Sequence, residues 1–222
     1  MSFDRDQGYP AQPERRQLLR AAATLGALPL AGALGDADAA ALAFAPAAFD
    51  VHDDRALIWL SANQVSRLHV RWGTKPDALD QRSAEVELNA TMDYTGHVAL
   101  TGLPRGATVY YRAFAGDSAV SETGRFNSAR KAGQNLTIAF SGDMEEKYKP
   151  FRLFDVMAAA APDYFVHLGD TVYADIPKRE FSPTLAHYRR KHSRIRADRP
   201  LQAFLAQCAT SAIWDDHEIE ND

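Results

Sequence analysis

Side chains that can bind a metal occur at three points in the second half of the sequence, each shortly after an apolar run. These are Asp143, Asp170 and the pair of Asp216 and His217. Carboxylate oxygens and imidazole nitrogens bind metal cations, and two bound cations can activate water for hydrolysis. A single Gly-Asp pair is also a common turn, so it is the repetition that indicates a metal site.

The segments between these acids predict how they would be brought together. Residues 136–141 and 164–168 each predict a strand, and residues 150–161 predict a helix between them. A β-α-β unit of this kind has parallel strands, whose carboxyl ends meet at one edge of the sheet. A third apolar stretch, residues 209–214, follows a predicted helix that begins near Pro200. We therefore expect all three acidic points to lie on one rim.

Tyr173 follows Asp170 closely and adds a phenol to this set. Carboxylates, a phenolate and an imidazole suit iron, manganese, zinc or calcium in a two-metal arrangement. The glycine before Asp170 would let backbone and metal approach without a Cβ in the way. The alternative is that Tyr173 is a packed aromatic and residues 215–218 cap a helix. Three acidic strand ends in succession favour the metal site.

Residues 44–130 alternate between short apolar strands and turn-forming residues, which predicts a β-sandwich. Within this range, residues 103–112 resemble the corner of fibronectin type III domains, where a tyrosine hydroxyl returns to the backbone. Tyr110 is the predicted tyrosine. Four other aromatic or histidine side chains are assigned from the strand pattern. We expect Trp59 and Trp72 in the core, and His69 and His97 on outward faces of strands.

Residues 1–40 predict an export signal. Arg15 and Arg16 precede a stretch rich in Ala, Leu and Gly, and a run of small residues follows it. Paired arginines indicate the twin-arginine export machinery as a partner, and hence a periplasmic or secreted protein. The alternative is an amphipathic N-terminal helix.

Composition excludes several classes of function. The net charge of −4 gives no basic footprint for nucleic acid. No apolar segment after residue 40 is long enough to span a membrane. Cys208 is the one cysteine, so no internal disulfide can form, and we expect a buried, inert thiol.

Three segments resemble successive motifs of the alkaline phosphatase D (PhoD-like) family, in the calcineurin-like metallophosphatase superfamily. They are Phe140–Asp143, His167–Asp175 and Trp214–Asp222. The resemblance implies a phosphate-ester substrate, hydrolysed at a binuclear metal site without a covalent enzyme intermediate. It also implies an α+β, two-domain fold. A fibronectin III-like sandwich at residues 44–130 would be followed by a partial α/β metallophosphatase domain at residues 134–222.

Individual roles follow from the same resemblance. Asp170 would bridge both metals, Tyr173 would be a phenolate ligand to ferric iron, and Asp216 would bind the second metal. His217 would protonate the leaving group or contact the phosphate. Asn221 is a further candidate ligand.

The first motif departs from the family pattern. Many members carry a cysteine ligand to iron there, whereas this chain has Ser141, Gly142 and Asp143. The resemblance then implies that Asp143 takes over as a ligand. Iron and/or calcium are the expected metals, with manganese or zinc as alternatives.

The family's remaining histidine ligands come later than Asp222, so we expect an incomplete site and weak or no activity from this chain alone. A non-catalytic exported binding or scaffold module is one alternative. A purple acid phosphatase-like enzyme is another, since it shares the sandwich and the Gly-Asp-x-x-Tyr pattern. The run from Trp214 to Glu218 argues against it, because those enzymes have Gly-Asn-His-Glu there.

Overall fold

The computed structural model describes residues 42–221, and the predicted export signal lies outside the described residues. The first part of this range is built from strands. They are β1 Ala47–His52, β2 Arg55–Ser61, β3 Ser66–Gly73, β4 Gln81–Arg82, β5 Val86–Leu88, β6 Thr95–Thr101, β7 Thr108–Ala115, β8 Ser118–Ala119 and β9 Gly124–Asn127.

The second part alternates strands and helices. They are β10 Ile138–Ser141, α1 Leu153–Ala159, β11 Tyr164–His167, α2 Leu185–Arg196, α3 Arg199–Leu205 and β12 Ala209–Ala212, with 3₁₀ turns at Ala90–Met92, Glu146–Tyr148 and Lys178–Glu180. The Asp198 side chain caps α3 by accepting from the Leu201 N–H at 3.1 Å. Helix α1 is shorter than predicted. It ends before Ala161, whose φ of +47° is not helical.

Two groups of strands face each other across a core in the first part. Strands β1, β2 and β6 pair antiparallel on one side, and β4, β3 and β7 pair antiparallel on the other, with β9 joined to β7. Alternate residues of these strands, such as Ile58, Leu60 and Val109, are fully buried. This arrangement agrees with a sandwich.

The predictions for aromatic and histidine side chains have mixed outcomes. Trp72 is buried in the core as predicted. Trp59 is half-buried, because its ring lies under the Arg196 guanidinium at 4.9 Å. His97 is exposed as expected. His69 also lies on the outward face, because it alternates with the core residues Leu68 and Val70. It is nevertheless fully buried there, where it stacks on Phe114 with ring centroids 5.6 Å apart.

The predicted β-α-β unit is present. Strands β10, β11 and β12 are parallel, and their last residues, Ser141, His167 and Ala212, lie in one row across the sheet. The helices pack on one face of these strands. Phe154 of α1 and Phe204 of α3 lie against Phe165 of β11 with ring centroids 5.8 and 5.1 Å apart. The strand ends therefore share one rim.

One sheet connects the two parts of the chain. Strand β12 also pairs in parallel with β1 through Phe49 and Thr210, which gives a six-stranded sheet in the order β10-β11-β12-β1-β2-β6. The buried Tyr111 hydroxyl lies 3.0 Å from the Pro46 carbonyl and 3.2 Å from the Ala206 carbonyl. Tyr110 was predicted to make the backbone contact, and that assignment is wrong. Side chains alternate along β7, and position 111 is the one that faces inward.

Exposed apolar side chains lie on the other face of the parallel strands or just beyond the strand ends: Ile138, Phe140, Leu168, Ile213 and Trp214. Between residues 42 and 221, no helix has the length and apolar character needed to cross a membrane.

Candidate metal centre

The two Gly-Asp loops have matching backbone conformations at the ends of neighbouring strands. Asp143 and Asp170 both have left-handed φ values, of 61° and 54°. Such values are uncommon outside glycine, but aspartate tolerates them. The loops are also tied together, because the Met144 N–H donates to the Asp170 carbonyl at 2.9 Å. This shared turn holds both carboxylates at the rim of the sheet.

Asp170, Asp216 and His217 form the centre of the candidate site. One possible ligand atom from each of them lies within 4.8 Å of the others. The backbone N–H of His217 donates to Asp170 Oδ1 at 3.2 Å, which fixes the third motif against the second. Asp170 is buried, whereas Asp216 and His217 are half-buried.

Tyr173 links this centre to the first motif. Its hydroxyl donates to Asp143 Oδ1 at 2.8 Å, and its ring stacks on the His217 ring with centroids 4.1 Å apart. Four predicted ligands, Asp143, Asp170, Tyr173 and Asp216, thus belong to one group of contacts. The alternative in which Tyr173 is only a packed aromatic leaves its polar contact unexplained.

Asn221 lies next to a different acid. Its backbone N–H donates to Asp175 Oδ2 at 3.2 Å. Its role as a metal ligand stays a prediction.

Asp175 has a role that sequence reasoning did not assign. It is buried, and its Oδ1 lies 2.7 Å from Nδ1 of His217. Burial alone would raise the pKa of this carboxyl, but the hydrogen bonds from His217 and the Asn221 backbone outweigh burial and lower it. The only signal in the sequence was its place within the second motif.

Glu218 is a second residue whose role was missed. Its Oε2 accepts the N–H groups of Asp170 at 3.1 Å and Asp215 at 2.9 Å. Its Oε1 accepts the Thr171 hydroxyl at 2.7 Å and also the Thr171 N–H. One carboxylate therefore joins the second motif to the third.

Gly169 allows this close approach. Its φ is +107°, and a Cβ at this position would lie 2.7 Å from Cβ of Asp215. From the sequence, we expected this glycine to make room for a metal. In the structure, it makes room for the third motif.

The electrostatics of the cluster fit a bound cation. Burial raises the pKa of Asp170, and burial together with the hydrogen bond to Asp143 raises the pKa of Tyr173. None of the ion pairs among residues 42–221 involves Asp143, Asp170 or Asp216. The acids therefore face one another without a Lys or Arg to offset their charge, and the residues present suit hard metal ions.

The charge on His217 follows the same pattern. Burial would lower the pKa of its imidazole, but Asp175, Asp170 and Asp216 together outweigh burial and raise it. A raised pKa favours the protonated form, which can act as an acid.

Two family models match this chain. Residues 134–222 match the PhoD-like phosphatase model, and residues 37–130 match the model of the PhoD-like phosphatase N-terminal domain.

Individual proteins show the same relationship. The chain is 29% identical over 147 residues to alkaline phosphatase D of Bacillus subtilis (strain 168), which covers 59% of this chain and 25% of that protein. A solved structure of PhoD has a TM-score of 0.73 at 21% identity and covers 84% of this chain and 41% of its own. Purple acid phosphatase from yellow lupin (Lupinus luteus) seeds has a TM-score of 0.50 at 14% identity, covering 78% of this chain and 35% of its own. The chain thus spans a quarter of the length of the curated relative.

Proposed function

Because the chain belongs to the PhoD-like phosphatase family, we propose that its α/β part carries a metal site for the hydrolysis of phosphate esters. The observation that carries this proposal is the convergence of Asp170, Asp216 and His217 at the ends of parallel strands. Family membership supports the phosphatase class, and the acidic cluster supports a role for metal in it.

We propose a binuclear site in which Asp170 would be a ligand to both cations. Asp143, Tyr173 and Asp216 would hold them, with Asn221 as a further ligand. When bound, such cations polarise phosphoryl oxygens and lower the pKa of water. Iron suits the phenol of Tyr173 and calcium suits the carboxylates, whereas manganese or zinc would also fit.

His217 would give a proton to the departing alcohol from Nε2. Asp175 acts as its positioning residue, because an acceptor 2.7 Å from Nδ1 keeps the proton on that nitrogen and fixes the plane of the ring. Stacking on Tyr173 restrains the other face of the imidazole. Together these contacts orient Nε2 without using Asp175 in the chemistry itself.

The role of Asp175 can be tested without an activity assay. In Asp175→Asn protein, we expect ¹⁵N NMR of the His217 ring to lose the signature of a proton fixed on Nδ1. Asp117→Asn is the control, because Asp117 is fully exposed and remote from the site. An unchanged His217 tautomer in Asp175→Asn would contradict the positioning role.

Metal uptake tests the site itself. The purified chain should bind iron, calcium, manganese or zinc, as measured by elemental analysis after gel filtration, and Asp170→Asn should abolish binuclear uptake. Asp117→Asn should leave uptake unchanged. Equal metal content in Asp170→Asn and the parent would refute the assignment. No uptake by the parent would favour the non-catalytic binding module.

Hydrolysis is tested with bis(4-nitrophenyl) phosphate and 4-nitrophenyl phosphate, with and without added metals. Turnover that depends on metal and is lost in Asp170→Asn would support the proposed reaction. Metal uptake without turnover would separate a metal site from an active enzyme.

A purple acid phosphatase-like enzyme is the second candidate. The fold likeness to the lupin enzyme and the spacing of Asp170 and Tyr173 favour it. A tyrosinate bound to ferric iron absorbs visible light, so iron-loaded protein should be coloured if Tyr173 is a ligand. Tyr173→Phe should remove that colour. Colourless iron-loaded protein would count against a Tyr173–iron bond.

We further propose that residues 44–130 form a fibronectin III-like domain, that residues 134–222 form a metallophosphatase domain, and that residues 1–40 direct export. The twin-arginine route would place the protein in the periplasm or outside the cell. Residues 1–40 fused to a reporter should deliver it across the membrane, and changing both Arg15 and Arg16 to Lys should block delivery. Unimpaired delivery by the Lys variant would exclude the twin-arginine route.

A further inference from the structure

A cavity of about 150 Å³ lies behind the second motif, between the parallel strands and helices α2 and α3. Most of its wall is apolar, but it contains two histidines and one arginine. The lining includes Phe49, His167, Thr171, His192 and Arg196, and none of the lining residues is acidic.

His167 is a buried polar group of the cavity. It is only 2% exposed, and neither ring nitrogen has a hydrogen-bond partner among the described residues. The Gly169 carbonyl is near enough to affect its pKa, but no hydrogen bond forms with it. A buried polar group without a partner costs about 1–3 kcal/mol, so the ring is placed as if for a ligand or water.

Arg196 brings the positive charge. Its guanidinium lies 4.9 Å from the centre of the Trp59 ring and 5.4 Å from that of Phe49. None of the ion pairs between residues 42 and 221 involves it. Arg196 is half-buried, and this burial lowers its pKa to about 10.

His192 completes the polar set from the same helix. It lies one turn before Arg196 on α2, so both side chains fall on one face. It is exposed and therefore stands at the mouth of the cavity.

Glu218 is the acid whose charge acts on both His167 and His192. It does not line the cavity, and both of its oxygens already accept hydrogen bonds from the loops of the metal centre. It is therefore not available as the missing partner of Arg196.

We infer that this cavity binds a small tetrahedral oxyanion of the phosphate or sulfate type. Arg196 supplies the charge and guanidinium N–H donors, His167 supplies a ring N–H from the floor, and His192 lies at the entrance. Charge-assisted hydrogen bonds of this kind are the strong ones, and an apolar wall strengthens them. The aromatic faces of Trp59 and Phe49 hold the guanidinium in place.

The anion site does not depend on the proposed hydrolysis or on metal. Thr171 borders both places, since it lines the cavity and donates to Glu218. The candidate metal centre and the anion cavity therefore lie on either side of the loop that contains Thr171.

The test uses the full chain in a chelating buffer, so that no metal-bound phosphate contributes. Sulfate, and separately inorganic phosphate, are titrated at constant ionic strength against chloride, and the histidine ring signals are followed by NMR. We expect the His167 signals to shift with saturation for both oxyanions, with no matching shift of His217. Non-saturating shifts, or shifts confined to His217, would overturn the inference.

Substitutions test whether Arg196 supplies the positive charge that binds the anion. Arg196→Gln should weaken sulfate binding at least tenfold, and Arg189→Gln, on the same helix but outside the cavity, should leave it unchanged. Because Arg196 also packs on aromatic rings, its variant is checked for folding by circular dichroism. His167→Leu provides a second variant that should also lose binding. Folded Arg196→Gln or His167→Leu protein with parental affinity would refute the site.

Discussion

Replacing Glu218 by Gln tests the contact that joins the second motif to the third. The carboxylate accepts four hydrogen bonds, two at each oxygen. A glutamine retains one acceptor oxygen, so two of the four donors lose their acceptor and face an N–H group instead. The change alters neither the length nor the shape of the side chain.

The expected loss can be estimated from these contacts. A hydrogen bond to a charged group contributes about 1.5–3 kcal/mol, and water can reach this half-buried loop, so the lower value applies. Two lost bonds then cost about 3 kcal/mol of unfolding free energy. With a urea dependence of about 2 kcal/mol per molar, the midpoint should fall by about 1.5 M.

The assay is urea unfolding followed by tryptophan fluorescence and by circular dichroism, in chelating buffer so that metal does not contribute. Glu220→Gln is the matched control, because Glu220 lies in the same segment with an exposed side chain. Its midpoint should stay within about 0.25 M of the parent, as for a surface substitution. Equal midpoints for Glu218→Gln and Glu220→Gln would show that the carboxylate does not hold the two motifs together.

Three further changes probe other contacts. Tyr111→Phe should cost about 1–2 kcal/mol in the same unfolding assay, because the buried Pro46 carbonyl loses the hydroxyl. An unchanged midpoint would contradict that bond. Burial and the charge of Asp163 raise the pKa of the Cys208 thiol from 9.0 to about 12, so the native thiol should resist alkylation at pH 9 and react in urea, as followed by mass spectrometry. Because the pKa of the thiol is higher in the folded state, its contribution to stability is complete below pH 9 and is lost as the pH rises from 9 to about 12. Fast labelling of the native protein would count against its burial. Gly169→Ala should destabilise the chain by more than about 2 kcal/mol, since φ and the contact with Asp215 both exclude a Cβ; wild-type stability would refute the tight approach.

The sequence was sufficient for the parallel strands and for the rim on which Asp143, Asp170 and Asp216 meet. Apolar runs ending in acids, with helices between them, leave few other arrangements. The sequence predicted less well which face of a strand a side chain occupies, because a shift of one residue moves the side chain to the opposite face. Tyr110 and Tyr111 differ only in the face of β7 on which they lie. The burial of His69 on the outward face of β3 comes from stacking on Phe114 of the neighbouring strand, which the local sequence pattern does not reveal.

The role of Asp175 could not be predicted because it depends on tertiary packing. Helix α2 holds the loop around this residue at two points. His187 Nε2 lies 2.6 Å from the Ala174 carbonyl, and Lys191 Nζ lies 2.6 Å from the Ile176 carbonyl. Neither contact has a local sequence signature. Together they hold Asp175 where its carboxylate meets Nδ1 of His217. The pairing between β1 and β12 could likewise not be predicted from local sequence patterns, because the parallel partner of a strand can come from any part of the chain.

That pairing also has a consequence for the order of folding. Phe49 enters the chain early during synthesis and Thr210 much later, and the sheet that supports the candidate metal centre is continuous only after both are present. Contacts between distant residues form slowly, because the entropy of closing the intervening chain opposes them. An export route that accepts only folded proteins could therefore not act before β12 has been synthesised and has paired with β1. Strand β12 ends close to the acids of the third motif, so its pairing with β1 and the assembly of the proposed metal ligands would be the same event.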